Sequence, residues 1–259
     1  MMRARGADPN QMSFLQHLDE LRVRLLRCVL VTALAFFLAW PVSGWIYELI
    51  VAPITSSLPP GVRLAYTGIS DPFLLYMKVS LFVGLVVALP WVLMEFWLFI
   101  SPGLYPRERR MVVPFVVAAT FFFLAGLVFA HKVIVPYAAL YFIGLGNEAG
   151  FQPVITIREV LGFVLQMLLA TGAVFELPVV IFFLTRVGIV TPAFLWRYFG
   201  YAFFAIWVVA AVVTPPDVFS MILVGTPMTA LYVLGIVVSW LFQPVRSEST
   251  VTAGSPPTP

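Results

Sequence analysis

The chain has 259 residues, of which 61% are hydrophobic and 10% are charged, and its net charge is +3. A soluble domain is about 45–50% apolar and about 25% charged, so this composition excludes an ordinary soluble fold and indicates a protein that lies in lipid. The chain has a single cysteine, Cys28, which excludes an intrachain disulfide. Its only histidines are His17 and His131, so the sequence gives no basis for a metal site or another cofactor.

Apolar runs predict an all-α membrane protein with six transmembrane helices. An apolar run of about 18 residues or more is long enough to cross the membrane as a helix, because the hydrocarbon core is about 30 Å thick and a helix rises about 1.5 Å per residue. The six predicted spans cover residues 25 to about 50, 72–100, just after 110 to about 137, 157–184, 196–213 and 218–242. Pro41 is expected to bend the first span, and Pro90 and Pro227 lie inside the second and sixth.

The fifth span is unusually short. Its apolar part, residues 199–213, is 15 residues long, which corresponds to roughly 22 Å of helix. Such a helix must thin the bilayer or be shielded by its neighbours. The sequence Thr-Pro-Pro-Asp at residues 214–217 then predicts a tight turn into the sixth span.

The distribution of basic residues predicts the orientation. Eleven of the 15 Lys and Arg residues fall on the side of both termini, and four fall on the other side: Arg63, Lys78, Lys132 and Arg158. The excess places both termini in the cytoplasm of a multi-pass protein in the plasma (inner) membrane. The predicted domain order is therefore a cytoplasmic segment with an interfacial amphipathic helix (1–24), the six-helix domain (25–242) and a disordered cytoplasmic tail (243–259).

Three acidic residues stand out as candidates for function. Glu20 lies in the amphipathic segment, four residues before Arg24, where the simplest interpretation is an ion pair on an interfacial helix. Glu108 follows the turn after the second span, where it could instead cap the next helix. Glu176 lies deep in the fourth span, where a carboxylate is unfavourable and usually functional, although a hydrogen bond to Thr171 could satisfy it. Glu95, near the cytoplasmic end of the second span, is a weaker candidate.

Four motifs resemble those of the TatC family, in the family's order, from about residue 13 to 242. They are His-Leu-x-Glu-Leu-Arg-x-Arg at 17–24, the loop at 99–110 with Ser-Pro-Gly-Leu-Tyr and Glu-Arg-Arg, Phe-Glu-Leu-Pro at 175–178, and Thr-Pro-Pro-Asp-Val-Phe-Ser at 214–220. Glu95 is interpreted as a possible local substitution. The resemblance implies a concave bundle with short fifth and sixth helices.

The resemblance also implies a function. TatC-like proteins are receptors that bind signal peptides with two consecutive arginines, and they export folded proteins with TatA and TatB, which are single-span partners. This implies a multi-copy complex in the lipid bilayer, driven by the proton-motive force, that binds no nucleic acid. Two arginines need two acidic groups, because a guanidinium pairs bidentately with a carboxylate.

The residues that match the family motifs receive the following expected roles. Glu20 and Glu108 bind the arginines, Phe99 packs against the apolar part of the peptide, and Arg22 and Arg24 orient the N-terminal helix. Glu176 hydrogen-bonds a partner helix in the membrane. The external turn is fixed by Pro215, Pro216 and Asp217.

Two other classes of function are weighed against the receptor. An enzyme is disfavoured, because the chain has no HExxH motif, no membrane-embedded histidine and no pair of intramembrane aspartates. A small-solute or proton-coupled transporter could use Glu176. No second acid lies at its depth and no internal repeat is visible, so this alternative has less support.

Overall fold

The computed structural model describes residues 14–100, 112–151 and 154–242. Glu108 and the segments at either terminus therefore lie outside the described residues. Within the described ranges the regular structure is helical, apart from one isolated β-bridge. The α-helices are α1 (Phe14–Ala39), α2 (Ser43–Thr55), α3 (Asp71–Ile100), α4 (Val112–Phe129), α5 (Val135–Glu148), α6 (Ile157–Phe175), α7 (Leu177–Arg186), α8 (Pro192–Arg197), α9 (Phe199–Val213) and α10 (Val218–Leu241).

Among the described residues, five continuous helical stretches are long and apolar enough to cross a membrane, and α9 is a shorter apolar helix. The all-α fold and the short fifth pass are therefore confirmed, and α9 has the predicted 15 residues. The expectation of a short sixth helix is wrong. Helix α10 has 24 residues, because the proline inside it, Pro227, is tolerated in a helix that packs against neighbouring helices.

The first pass is one helix followed by a bend. Helix α1 begins at Phe14 and continues without a break to Ala39, so the described part of the N-terminal segment and the first span form a single rod. A 3-10 turn, Trp40–Val42, then leads into α2. Pro41 lies inside this turn, where it removes a backbone donor and so favours a change of helix geometry. The position of the membrane interface along α1 stays a prediction.

The third pass is longer than the sequence predicted. After α4 the chain forms a π-helical segment, Ala130–Ile134, and continues as α5 to Glu148, beyond the predicted end near Tyr137. No glycine or proline follows closely enough after Tyr137 to stop the helix there. The stop comes at Gly150, whose positive φ of 74° is a conformation that glycine adopts readily after a helix end.

The fourth pass is broken near its middle. Helix α6 ends at Phe175 and α7 begins at Leu177, with Glu176 at the junction. Pro178 explains the break, because its ring lacks the N–H that an uninterrupted helix would use and clashes with the preceding turn. At the other end, Thr156 caps α6 by accepting a bond from the backbone N–H of Glu159.

Two apolar clusters hold the passes together. The larger one joins α2, α3, α6, α9 and α10 around fully buried residues such as Val79, Val164 and Ile236. The smaller one joins α3, α4 and α7. Its rings are Trp97, Phe115 and Phe183, with centroids 4.1 Å and 3.9 Å from Trp97. This second cluster lies on α3 close to Glu95 and Phe99 and therefore fixes the part of α3 that carries them.

Candidate functional site: a charged cluster between the first two passes

Helices α1 and α3 pack antiparallel and in close contact. The contacts fall at matched positions along both helices, with Phe36 against Gly84, Arg24 against Glu95, and His17 against Phe99. A Cβ atom at Gly84 would lie 2.8 Å from the backbone nitrogen of Phe36. The absence of a side chain at Gly84 therefore permits this close approach, which also aligns the charged residues at one end of the pair.

Arg24 is held between two carboxylates. Its Nε and Nη2 donate to Glu20 Oε1 at 3.0 Å and 2.5 Å, and its Nη1 donates to Glu95 Oε2 at 2.7 Å. The other oxygen of Glu95 lies 3.5 Å from Arg27 Nη1. The residues on α1 are spaced i, i+4 and i+7, so they share one face of the helix and meet Glu95 on α3.

Burial differs across this cluster. Glu95 is only 4% exposed, whereas the side chains of Glu20 and Arg24 keep 21% and 18% of their surface and that of Arg27 keeps 58%. A buried carboxylate is tolerated only where cations neutralise it. The cluster therefore has a closed inner side, formed by Glu95, and a more open outer side.

The two carboxylate oxygens of Glu20 differ in their hydrogen bonding. Oε1 accepts both bonds from Arg24. Oε2 is buried, has no hydrogen-bond partner among the described residues and lies 4.0 Å from His17 Nδ1. The His17 ring stacks on Phe99, with centroids 4.3 Å apart and planes inclined by 14°. An acceptor without a donor thus lies beside an aromatic surface. A guanidinium followed by an apolar segment would match both features.

The structure brings together some of the predicted binding residues and separates others. Glu20, Arg24 and Phe99 lie in one cluster, with His17 between Glu20 and Phe99. Arg22 is exposed and forms no ion pair with any described residue. Its spacing of two residues from Glu20 points it away from that face of α1. The expected role of Arg22 in orienting the helix therefore has no contact to support it.

Sequence reasoning underrated Glu95 and missed His17 and Arg27. Glu95 was treated as a possible local substitution, yet it is the buried centre of the cluster. One signal could have found it. An acid near the end of the second span must find cations, and the antiparallel first span offers Arg24 and Arg27 at a similar depth.

Glu176 has a different environment. It lies at the α6–α7 junction and is partly buried, and its Oε1 is buried without a hydrogen-bond partner in the described part of the chain. The same holds for the Oγ1 of Thr171, so the hydrogen bond considered between these two residues is not formed. A buried acceptor without a donor is unfavourable by about 1–3 kcal/mol, and a donor from another chain could satisfy it.

The turn between the fifth and sixth passes is tightly bonded. Asp217 Oδ1 accepts from the backbone N–H of Ser220 at 2.7 Å and so caps α10. Thr214 Oγ1 donates to the carbonyl of Ala210 at 2.9 Å. From the fourth pass, Gln166 Nε2 donates to the carbonyl of Val213 at 2.7 Å. Pro215 and Pro216 lie between these bonds, where the chain needs few backbone donors.

Among residues 14–100, 112–151 and 154–242, no three His, Cys, Asp or Glu side chains are placed to hold a metal ion.

Comparison with known proteins identifies the family of this chain. The family model for the Sec-independent protein translocase protein (TatC) matches residues 16–227. A TatC from Koribacter versatilis is 40% identical over 90% of this chain and 87% of its own length. TatC from Desulforapulum autotrophicum is 37% identical over 88% and 84%.

Solved structures give the same result. A crystal structure of the twin-arginine translocase receptor TatC matches with a TM-score of 0.76 at 31% identity, over 87% of this chain and 98% of that chain. A second crystal structure, of TatC in the detergent DDM, matches with a TM-score of 0.78. The match covers most of both chains, and by sequence and by fold this chain belongs to the TatC family.

Proposed function

We propose that this protein is the signal-peptide receptor and core subunit of a twin-arginine translocase. It binds twin-arginine signal peptides with the α1–α3 cluster at the cytoplasmic face. Together with single-span partners of the TatA and TatB type, it mediates export of folded proteins at the expense of the proton-motive force. The observation that carries this proposal is Glu20, whose buried Oε2 has no donor among the described residues and lies beside the stacked rings of His17 and Phe99.

In this proposal Glu20 and Glu108 each bind one arginine, and Phe99 packs against the apolar segment that follows. Arg24 keeps the Glu20 carboxylate in place through its two hydrogen bonds. Pairs this close to water contribute only about 1 kcal/mol each. Most of the binding free energy therefore comes from the apolar segment of the peptide and from the membrane, and the carboxylates supply discrimination.

The orientation and partners complete the proposal. The basic residues on the side of both termini favour a cytoplasmic location for those termini in the plasma membrane. Glu176 is proposed to accept a hydrogen bond from a polar side chain of a partner helix, because its buried oxygen has no donor within the described residues. Several copies of the chain are expected to assemble with these partners. Catalysis forms no part of the proposed role.

The proposal is tested by crosslinking a signal peptide that carries a photoreactive group beside its arginine pair. Membranes would contain the unchanged protein, Glu20→Ala, Glu108→Ala or the matched control Asp19→Asn. Asp19 is exposed and neighbours Glu20, so its variant changes the charge without changing the cluster. We expect the two alanine variants to lose most of the crosslink and Asp19→Asn to keep it. An undiminished crosslink in both alanine variants would remove the arginine-binding role.

The small-solute transporter is separated from the receptor by partner dependence. A transporter that uses Glu176 would move its solute in vesicles that contain this chain alone. We expect no such flux, and we expect cargo export to require the single-span partners.

A further inference from the structure

The α1–α3 cluster contains a buried acid that the proposed function does not use. Glu95 is 4% exposed, so it is too deep to serve as an outer contact for a peptide. Its two oxygens are directed at two different guanidinium groups, Arg24 at 2.7 Å and Arg27 at 3.5 Å. A role for Glu95 must therefore act through those arginines.

The charges of the cluster balance only because of Glu95. Glu20 and Glu95 carry two negative charges, and Arg24 and Arg27 carry two positive charges. Without the charge on Glu95, both guanidinium groups would act on Glu20 alone. They would then compete with the arginine of an incoming peptide for the oxygens of Glu20.

We infer that Glu95 is a specificity-determining positioning residue for the twin-arginine site, an inference that rests on the proposed function. Its carboxylate holds Arg24 and Arg27 on the inner side of the cluster. Arg24 therefore shares its charge between two acids and binds only Oε1 of Glu20. The buried Oε2 of Glu20 is left without a donor among the described residues. It can select a guanidinium over an ammonium because two donors of one fork can reach the same oxygen, as those of Arg24 do at Oε1.

A merely structural role for Glu95 makes a different prediction. If Glu95 only joined α1 to α3, its loss would lower stability and weaken the binding of every peptide equally. If Glu95 tunes Glu20, its loss weakens the twin-arginine peptide more than a twin-lysine peptide. The charge that must then be removed to restore binding is that of Arg24.

The experiment measures binding of fluorescent twin-arginine and twin-lysine signal peptides to the purified full chain in nanodiscs of zwitterionic lipid. The variants are Glu95→Gln, Glu95→Asp, the double variant Glu95→Gln with Arg24→Gln, and the matched control Asp19→Asn. Asp19→Asn changes the net charge of the chain equally, on the exposed face of α1. Thermal unfolding of each variant is recorded in parallel.

We expect Glu95→Gln to weaken the twin-arginine peptide about five-fold, the size of one exposed ion pair, with little change for twin-lysine. Glu95→Asp and Asp19→Asn keep the discrimination. The double variant recovers part of it, because it frees the oxygens of Glu20 but also removes the two bonds by which Arg24 holds that carboxylate. If Glu95→Gln keeps the discrimination, or if the double variant recovers none of it, the inference is wrong. If the unchanged protein does not discriminate between the peptides, the proposed function fails and this inference fails with it.

A second pair of substitutions tests the inference if Glu95→Gln is unstable. If Glu95→Gln melts too early to be measured, Glu95→Asp with Arg24→Lys takes its place. This pair keeps both charges and removes the fork of donors at position 24. Discrimination that survives in this pair supports charge balance as the cause, and discrimination that is lost contradicts it.

Discussion

Substitution of Gly84 by alanine tests whether the close packing of α1 on α3 determines both stability and the site. The added Cβ would lie 2.8 Å from the nitrogen and 3.0 Å from the Cα of Phe36, and both are backbone atoms that cannot rotate away. To reach an ordinary separation of 3.4 Å, the two helices must move apart by about 0.6 Å. A shift of this size forfeits a large share of the dispersion energy along the contact.

The size of the effect follows from two opposing contributions. Overpacking of this kind is unfavourable by about 1–3 kcal/mol, whereas alanine is a better helix former than glycine by about 1 kcal/mol. We therefore expect Gly84→Ala to lower the free energy of unfolding by about 1 kcal/mol, within a range of about 0–2 kcal/mol, which is a factor of about 5 in the folding equilibrium. The matched control is Gly162→Ala on α6, where an added Cβ meets nothing within 4 Å.

The assay is equilibrium unfolding in mixed micelles of SDS and a mild detergent, followed by the far-UV circular dichroism of the helices. We expect Gly162→Ala to be as stable as the unchanged protein or more stable. Since Arg24 and Glu95 lie on the same two helices, Gly84→Ala should also weaken binding of the twin-arginine peptide. Equal stability of the two alanine variants would refute the packing argument.

Three further predictions concern other parts of the fold. Gln166→Leu removes the donor to the Val213 carbonyl, so we expect the free energy of unfolding in micelles to fall by about 1 kcal/mol. Asp217→Ala removes the cap of α10 and should lower the free energy of unfolding by about 1 kcal/mol, whereas Asp217→Asn keeps a capping oxygen and should lower it much less. An equal loss of stability in both variants would contradict capping. Glu176→Leu removes a buried oxygen that has no partner among the described residues, so we expect the stability to be unchanged or higher and the amount of single-span partner that co-purifies to fall. Normal co-purification would remove Glu176 from the partner contact.

Much of the fold could be predicted from the sequence because the membrane imposes a strong pattern. Six apolar runs indicated the passes, and the short run before the Thr-Pro-Pro-Asp turn gave α9 its correct length. The predicted end of a span was wrong where no glycine or proline followed it closely enough to stop the helix. Helix α5 therefore runs on to Glu148, although the apolar pattern suggested an end near Tyr137.

The candidate site was harder to predict because it depends on how two helices meet. Sequence spacing places Glu20 and Arg24 on one face of α1, and that contact was expected. The pairing of Arg24 with Glu95 depends on the register of α1 against α3. That register brings Gly84 against the backbone of Phe36, and a single sequence does not encode it as a pattern. Glu95 was therefore undervalued, and the role expected of Arg22 stays a prediction.

We propose that this protein binds the arginine pair of a signal peptide beside Glu20. The most direct test replaces Phe99 by a photoreactive phenylalanine, which keeps an aromatic ring against His17, and illuminates membranes that contain a twin-arginine peptide or its twin-lysine variant. The account predicts a crosslink to the twin-arginine peptide that is largely lost with twin-lysine. Equal crosslinking of both peptides, or of neither, would contradict it.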